Sequence, residues 1–315
     1  MRTGARPSLR QAVAYAVATS ILWAAAIVLV KLGLEDIPRL TFASLRYLVG
    51  AVALVVWRSV KTGTLIPRVE RSLLPWLIGL GVLLYGVVPA AQFISLDIVE
   101  AVTFNLVFQA GIPLITALLA GVVLKEATSR WEWFGVAVVI GGVFLFYPTV
   151  PTGDQAVGIM LAVVAAAGVG GSNALQRKVM RGGSIGALDA AVVPMLMGSV
   201  GLFLVARLVE PFPELGREQI LLILALGVIN TALAFTLWHM AMRTLNALHA
   251  GVIASAQVVE VPVLAFIFLG ESLTTGRIVG SVLVLAGILL VHLSKAAGLR
   301  FAAPSPPEQS ADRIG

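Results

Sequence analysis

The chain contains 315 residues, of which 59% are hydrophobic and 12% are charged. Soluble globular domains carry about 25% charged residues, so this composition excludes a soluble globule and indicates that most of the chain lies in lipid. The net charge of +6 is interpreted as a signal of membrane orientation, and nucleic acid is not an expected partner. Because the sequence has no cysteine, thiol catalysis, disulfide bonds and cysteine metal sites are excluded.

Apolar stretches long enough to cross the hydrocarbon layer, about 20 residues each, follow one another along the whole chain. They predict ten transmembrane helices, at 12–33, 39–57, 73–95, 101–123, 131–148, 156–176, 187–208, 218–241, 247–269 and 274–294. The division between the third and fourth helices rests mainly on an internal repeat, because the sequence around 86–110 carries several polar residues.

One sequence pattern occurs twice, with an offset of 145 residues between its copies. The first copy reads Leu124-Lys125-Glu126 with Gly135 and Gly142, and the second reads Leu269-Gly270-Glu271 with Gly280 and Gly287. Both glutamates follow predicted helices, so we expect them to cap and anchor loops near the start of the next helix, with a gating role as the alternative. We expect the glycines to let helix backbones approach each other, although Gly276 and Gly280 could equally serve a homodimer.

The duplication divides the chain into two units of five predicted helices each. The first unit occupies 11–148 and the second 156–294, between a cytoplasmic tail at 1–10 and a disordered cytoplasmic tail at 295–315. A unit with an odd number of crossings ends on the opposite side of the membrane, so the second copy is inverted relative to the first. The sequence therefore predicts an all-α integral membrane protein built from two inverted repeats.

Lysine and arginine are distributed unevenly over the predicted loops. With a cytoplasmic N-terminus, 16 of the 22 lie in cytoplasmic segments, 5 lie outside and Arg46 lies within a span. Positive residues concentrate in short cytoplasmic loops of membrane proteins. The distribution predicts a multi-pass protein of the inner (cytoplasmic) membrane with both termini in the cytoplasm.

Together these motifs resemble a known family. The sequence has Pro113 in the fourth helix, the Leu-x-Glu that ends it and a glycine-rich fifth helix, repeated in the second half. This pattern is similar to the EamA family of the drug/metabolite transporter superfamily. The resemblance implies a carrier whose central cavity is lined by helices 1–4 and 6–9, with helices 5 and 10 peripheral. Val258 stands where copy one has Pro113, and Pro262 follows it, so we expect helix 9 to kink elsewhere than helix 4.

Two charged residues lie well inside predicted spans, away from the span ends: Arg46 in helix 2 and Glu260 in helix 9. Charges inside a membrane are unfavourable by a few kcal/mol and usually face a cavity or a partner. Both lie on the order of 10–14 Å from the same membrane face, at 1.5 Å per helical residue. We predict either an ion pair between them, which could be purely structural, or a paired site in which Arg46 binds a carboxylate and Glu260 an amine.

Other polar and aromatic side chains are expected to line the cavity near these charges. Asn105 and Gln109 are four residues apart and Gln257 and Glu260 three apart, so each pair shares one helix face. The remaining candidates are Trp23, Tyr85, Asn173 and Trp238. Single amides in membranes also serve as contacts between helices, so that role stays open for them.

The motifs of other function classes are missing from the sequence. It has no phosphate-binding loop, no Gly-x-Ser-x-Gly and no His-Glu-x-x-His, so neither an enzyme, a cofactor, a metal site nor ATP-driven transport is predicted. We predict a secondary-active or facilitative transporter that moves a small amino-acid-like or amphipathic solute by alternating access. The expected partners are this solute and membrane lipids.

Direction, coupling and one rival function stay open at this stage. Export is favoured only by the family resemblance, and Glu260 is the best candidate for a proton carrier if transport is coupled to protons. The alternative is a flippase for a lipid-linked or phosphorylated substrate, in which Arg46 would bind a phosphate.

Overall fold

The structure is a computed structural model that describes residues 6–64, 69–124, 129–147, 151–181 and 185–301. Every regular element within these ranges is helical. Glu126 and the tail from residue 302 onward, both singled out from the sequence, lie outside the described residues.

The helices follow the predicted spans closely, including the separation of the third from the fourth. Their bounds are α1 Leu9–Gly33, α2 Arg39–Thr62, α3 Arg71–Ile98, α4 Ala101–Leu124, α5 Arg130–Phe146, α6 Asp154–Arg181, α7 Ala187–Val209, α8 Arg217–Ala241, α9 Ala247–Ser255 continued by Gln257–Leu269, and α10 Thr275–Phe301. Among the described residues, all of these except α4 and α5 contain a segment long and apolar enough to cross a membrane. The chain is therefore an all-helical, multi-pass membrane protein.

The first and last helices extend into the segments assigned to the two tails. A capping box, in which Ser8 Oγ accepts from Gln11 N and Gln11 Oε1 accepts from Ser8 N, starts α1 within the segment assigned to the N-terminal tail. At the other terminus α10 continues to Phe301, seven residues into the segment assigned to a disordered tail. The alanines and leucine at 296–299 are strong helix formers and favour this extension.

One wide π-helical turn interrupts α3 at Leu83–Val87, and another interrupts α8 at Val228–Leu233. The sequences before them, Leu-Gly-Val in both cases, are matched by the repeat. In each copy a glycine of this triplet lies against another helix: a Cβ on Gly81 would lie 2.7 Å from Pro194 O of α7, and one on Gly227 would lie 2.9 Å from Arg46 O of α2. Both π turns therefore adjoin a close helix crossing.

The repeated glycines of α5 and α10 pack against each other. A Cβ on Gly142 would lie 2.8 Å from Gly280 O, and one on Gly287 would lie 2.7 Å from Gly135 O, so the two helices run antiparallel. This contact within one chain accounts for the glycine faces, which had suggested a homodimer. A dimer through these faces is therefore no longer supported.

We expect Gly142→Ala to lower the unfolding temperature of the purified protein, because its methyl group would overlap the backbone of α10. Overpacking of this kind lowers the free energy of unfolding by about 2 kcal/mol. Gly141→Ala is a matched control, since a Cβ there would have no atom within 4 Å. Equal effects of the two substitutions on thermal unfolding would contradict this account of the crossing.

Candidate substrate-binding site

Arg46 of α2 is buried in the bundle with only part of its guanidinium satisfied. Its side chain is 4% exposed, and its Nε donates to Thr231 Oγ1 of α8 at 3.2 Å. The guanidinium carbon lies 5.2 Å from the ring centre of Tyr47, while Nη1 is buried without a hydrogen-bond partner. A cation with an unused donor in a nonaqueous interior is an unsatisfied binding group for an anion.

Thr231, which holds Arg46, was not identified from the sequence. It lies in the π turn of α8, and its own hydroxyl donates to Leu226 O at 2.9 Å, which leaves an oxygen lone pair to accept from Arg46. The neighbouring Asn230 donates to Leu22 O of α1 at 2.6 Å. The only available sequence signal was the repeat, since Thr231 occupies the position that Tyr85 holds in copy one.

Glu260 of α9 is partly buried and faces α1. Ser20 Oγ of α1 donates to Glu260 Oε2 at 2.7 Å and also lies 3.4 Å from Ile253 O. Among the described residues, ion pairs join Arg39 to Asp97, Arg58 to Asp189 and Arg277 to Glu100. The ion pair considered between Arg46 and Glu260 is therefore not formed, because each charge is held by a hydroxyl group instead.

Five aromatic rings form a continuous row that begins beside Arg46. In order, its members are Tyr47, Tyr85, Phe235, Trp23 and Trp238, with successive ring centres 5.9, 6.2, 5.6 and 5.2 Å apart. The row starts beside Arg46, and Trp23 lies one helical turn from Ser20, on the same face of α1. This aromatic row thus brings together three of the predicted cavity residues, Trp23, Tyr85 and Trp238.

The predicted amides of α4 bind the backbone of α9 instead of standing free. Asn105 Nδ2 donates to Gln257 O at 2.8 Å, and Gln109 Nε2 donates to Ala254 O at 3.2 Å. These two carbonyls flank Ala256, where α9 is interrupted, whereas α4 continues unbroken through Pro113. The contacts favour the alternative in which Asn105 and Gln109 connect two helices, with Gln257 buried at the same junction.

Asn173 is the remaining predicted cavity residue. It lies partly buried on α6, the helix that packs against α3 and α4. The aromatic row and the two charges are carried by α1, α2, α3, α8 and α9, so Asn173 lies on a helix that contributes to neither.

Comparison with known proteins places this architecture. The model of the EamA-like transporter family matches residues 10–147 and again residues 156–293. The chain belongs to the EamA-like transporter family. It is therefore a multi-pass membrane transporter of small metabolites.

Two curated relatives span nearly the whole transporter. The uncharacterized transporter YoaV of Bacillus subtilis (strain 168) is 26% identical over 290 residues, covering 87% of this chain and 94% of YoaV. A probable amino-acid metabolite efflux pump of Salmonella typhimurium (strain LT2) is 25% identical over 281 residues, covering 86% of this chain and 91% of the pump. One solved crystal structure matches the fold with a TM-score of 0.67 at 16% identity, covering 95% of this chain and all of the other.

Two carboxylates of the second copy cap helices of the first copy. Both lie at the end of this EamA-like transporter that the charge pattern predicts to be outside. We call these carboxylates, Glu210 and Glu271, the outer clasps. Glu210 follows α7 and accepts from Leu40 N at 3.0 Å, Thr41 N at 2.8 Å and Thr41 Oγ1 at 2.9 Å. A negative charge at the start of α2 is favoured because helix N-termini expose unpaired N–H groups.

The second clasp comes from the repeated Leu-x-Glu motif. Gly270 ends α9 with a positive φ of 66°, and this turn directs Glu271 toward α4. Glu271 accepts from Ala101 N at 2.6 Å and Val102 N at 2.9 Å. The glutamate does cap a helix, as we expected, but that helix belongs to the other copy.

Proposed function

We propose that this EamA-like transporter carries a small zwitterionic metabolite, with Arg46 binding the carboxylate and Glu260 binding the ammonium group. The observation that carries the proposal is that, within the residues the structure describes, neither charge has an ion-pair partner and Arg46 Nη1 has no hydrogen-bond partner. A substrate carrying both charges would satisfy both groups, whereas a neutral sugar would leave them unpaired.

The aromatic row defines the rest of the substrate. Trp23, Phe235 and Trp238 are partly exposed, while Tyr47 and Tyr85 are buried. Aromatic faces pack against apolar groups, and a carboxylate at Arg46 would hold such a group against the rings. An amino-acid-like solute with an apolar side chain fits this arrangement. The name of the Salmonella relative, a probable amino-acid metabolite efflux pump, supports both the solute class and export.

Transport follows from two inverted copies that alternate between outward and inward openings. Ten crossings, five in each copy, agree with the two family matches. Equivalent helices run antiparallel, as α5 and α10 do at their glycines and α2 and α7 do at Glu210, which supports the inversion. The arginine and lysine distribution supports cytoplasmic termini in the inner membrane. Without an ATPase motif, the cycle is facilitative or coupled to protons through Glu260.

Counterflow in proteoliposomes tests the proposal. Vesicles are preloaded separately with amino acids, sugars, nucleobases or organic acids, and exchange is followed by mass spectrometry. We expect exchange of amino-acid-like zwitterions only. We also expect Glu260→Gln to reduce it at least about thirtyfold, because loss of one partner of a desolvated charge pair weakens binding by about 2 kcal/mol or more.

Glu214→Gln is the matched control, since it removes a carboxylate from an exposed loop outside the bundle. Exchange confined to sugars or nucleobases, or undiminished exchange by Glu260→Gln, would contradict the site. If folded protein exchanges none of the soluble solute classes, the flippase for a lipid-linked substrate would replace the proposed amino-acid transporter.

A further inference from the structure

A cavity of about 220 Å³ opens at the end of the transporter that carries the outer clasps. It is separate from the aromatic row, and nothing in the transport site described above uses it. Its lining residues are Ile98, Val99, Glu100, Thr103, Tyr147, Gln155, Ile159 and Arg277. Drug-sized ligands occupy roughly 300–1,000 Å³, so this cavity suits a smaller solute.

The polar groups of the cavity include both signs of charge and an unused donor. Arg277 Nη2 lies 2.5 Å from Glu100 Oε2, and the Glu100 side chain is 42% exposed. The hydroxyl of Tyr147 is buried beside Thr103, but the two groups are not aligned for a hydrogen bond. An exposed carboxylate can accept from an ammonium group, and a tyrosine hydroxyl beside an arginine can donate to a carboxylate.

We propose that this cavity is a second solute site that binds a small α-amino acid, its ammonium group on Glu100 and its carboxylate on Tyr147 and Arg277. Gln155 and Thr103 also line the cavity and supply further hydrogen-bonding groups. The identity of the solute class rests on the proposed function, but the cavity itself does not depend on the central site.

The position of the cavity gives the second site a role in the transport cycle. Glu100, Thr103 and Tyr147 belong to the first matched segment, and Ile159 and Arg277 belong to the second. A solute bound between them would connect the two halves where the outer clasps already join them. Occupancy from outside therefore stabilises the arrangement that is closed on that side and slows export.

Thermal unfolding of purified Arg46→Met protein tests this site in the absence of the central one. Each of the common amino acids is added separately, and stabilisation reports binding to the folded state. We expect at least one amino acid to raise the unfolding temperature. Adding Tyr147→Phe should weaken its apparent affinity about tenfold, since one hydrogen bond to a charged group is lost. Tyr15→Phe, which removes a hydroxyl from α1 outside the cavity, should have no effect.

Transport by the otherwise native protein gives a second readout that does not depend on Arg46→Met folding. In vesicles of uniform orientation, we expect outside amino acid to inhibit efflux, and Tyr147→Phe or Gln155→Leu to relieve this inhibition without reducing efflux into amino-acid-free buffer. Absence of stabilisation in Arg46→Met, or inhibition unchanged by both cavity variants, would overturn the second site. A native protein that exchanges no amino acid would instead refute the proposed function, while the unfolding experiment would still decide the cavity.

Discussion

Replacement of Arg46 by methionine is expected to abolish solute exchange without destabilising the empty transporter. The guanidinium is buried, and in the described part of the chain it has no ion-pair partner and leaves Nη1 unsatisfied. Apolar replacements of buried charges are often neutral or stabilising by about 1–4 kcal/mol. Thr231 would still donate to Leu226 O, so its hydroxyl would not become an unsatisfied donor. A substrate carboxylate, in contrast, would lose its only guanidinium partner in the site.

The combination of outcomes separates a binding role from a structural one. Loss of a charged partner in a desolvated site weakens binding by about 3 kcal/mol, or roughly a hundredfold. Exchange and unfolding temperature are therefore measured on the same preparation. Arg39→Met, which removes a half-exposed arginine paired with Asp97, is the control. A large fall in unfolding temperature for Arg46→Met would assign this residue to the scaffold and refute the binding role.

Glu271→Gln is expected to open the outer end of the transporter. The change keeps the side-chain shape but removes the charge that accepts from Ala101 N and Val102 N. The oxygen of the glutamine amide can accept from one of these N–H groups, but its NH2 group then faces the other N–H as a second donor. An unsatisfied buried N–H is unfavourable by about 2 kcal/mol, which would shift the population toward the open arrangement about thirtyfold. Glu210→Gln should act in the same direction through Leu40 and Thr41.

Cysteine labelling measures this opening directly, because the native sequence has no cysteine. Ser44→Cys places a single thiol at a fully buried position of α2, near the helix start that Glu210 caps. A membrane-impermeant maleimide should modify it faster in either clasp variant, and fastest when both are combined. Glu214→Gln should leave the rate unchanged. Equal labelling rates in native and clasp variants would show that these carboxylates do not hold the outer end closed.

Hydropathy and the repeat were sufficient to predict where the helices lie. The errors concern helix ends and the π turns. The predicted first residues at 39, 101 and 187 coincide with the observed starts of α2, α4 and α7. The start of α1 was missed because the capping box at Ser8 lies before the apolar stretch. The π turns were missed because their wide hydrogen bonding has no residue signature, and both lie next to helix crossings that only the folded bundle reveals.

The sequence singled out the two charged residues of the candidate site but not their hydrogen-bond partners. Arg46 and Glu260 could be identified because charged residues are rare inside membrane spans. Their partners Thr231 and Ser20 are common residues in apolar helices. These partners lie 185 and 240 residues away in sequence, beyond any periodicity argument. The amides of α4 were found on the predicted face, yet the carbonyls they bind lie on either side of Ala256, where the interruption of α9 was not predicted.

The paired π turns carry a mechanical consequence. A π turn is an α-helical turn with one residue inserted, and each helical residue represents about 100° of rotation and 1.5 Å of rise. If the insertion moves along α3 or α8, the segment beyond it rotates like a screw while most backbone hydrogen bonds stay formed. Tyr85 lies on one such insertion and Thr231 on the other. Rotation of either segment would therefore swing a ring of the aromatic row, or the hydroxyl that holds Arg46, out of register with the bound solute.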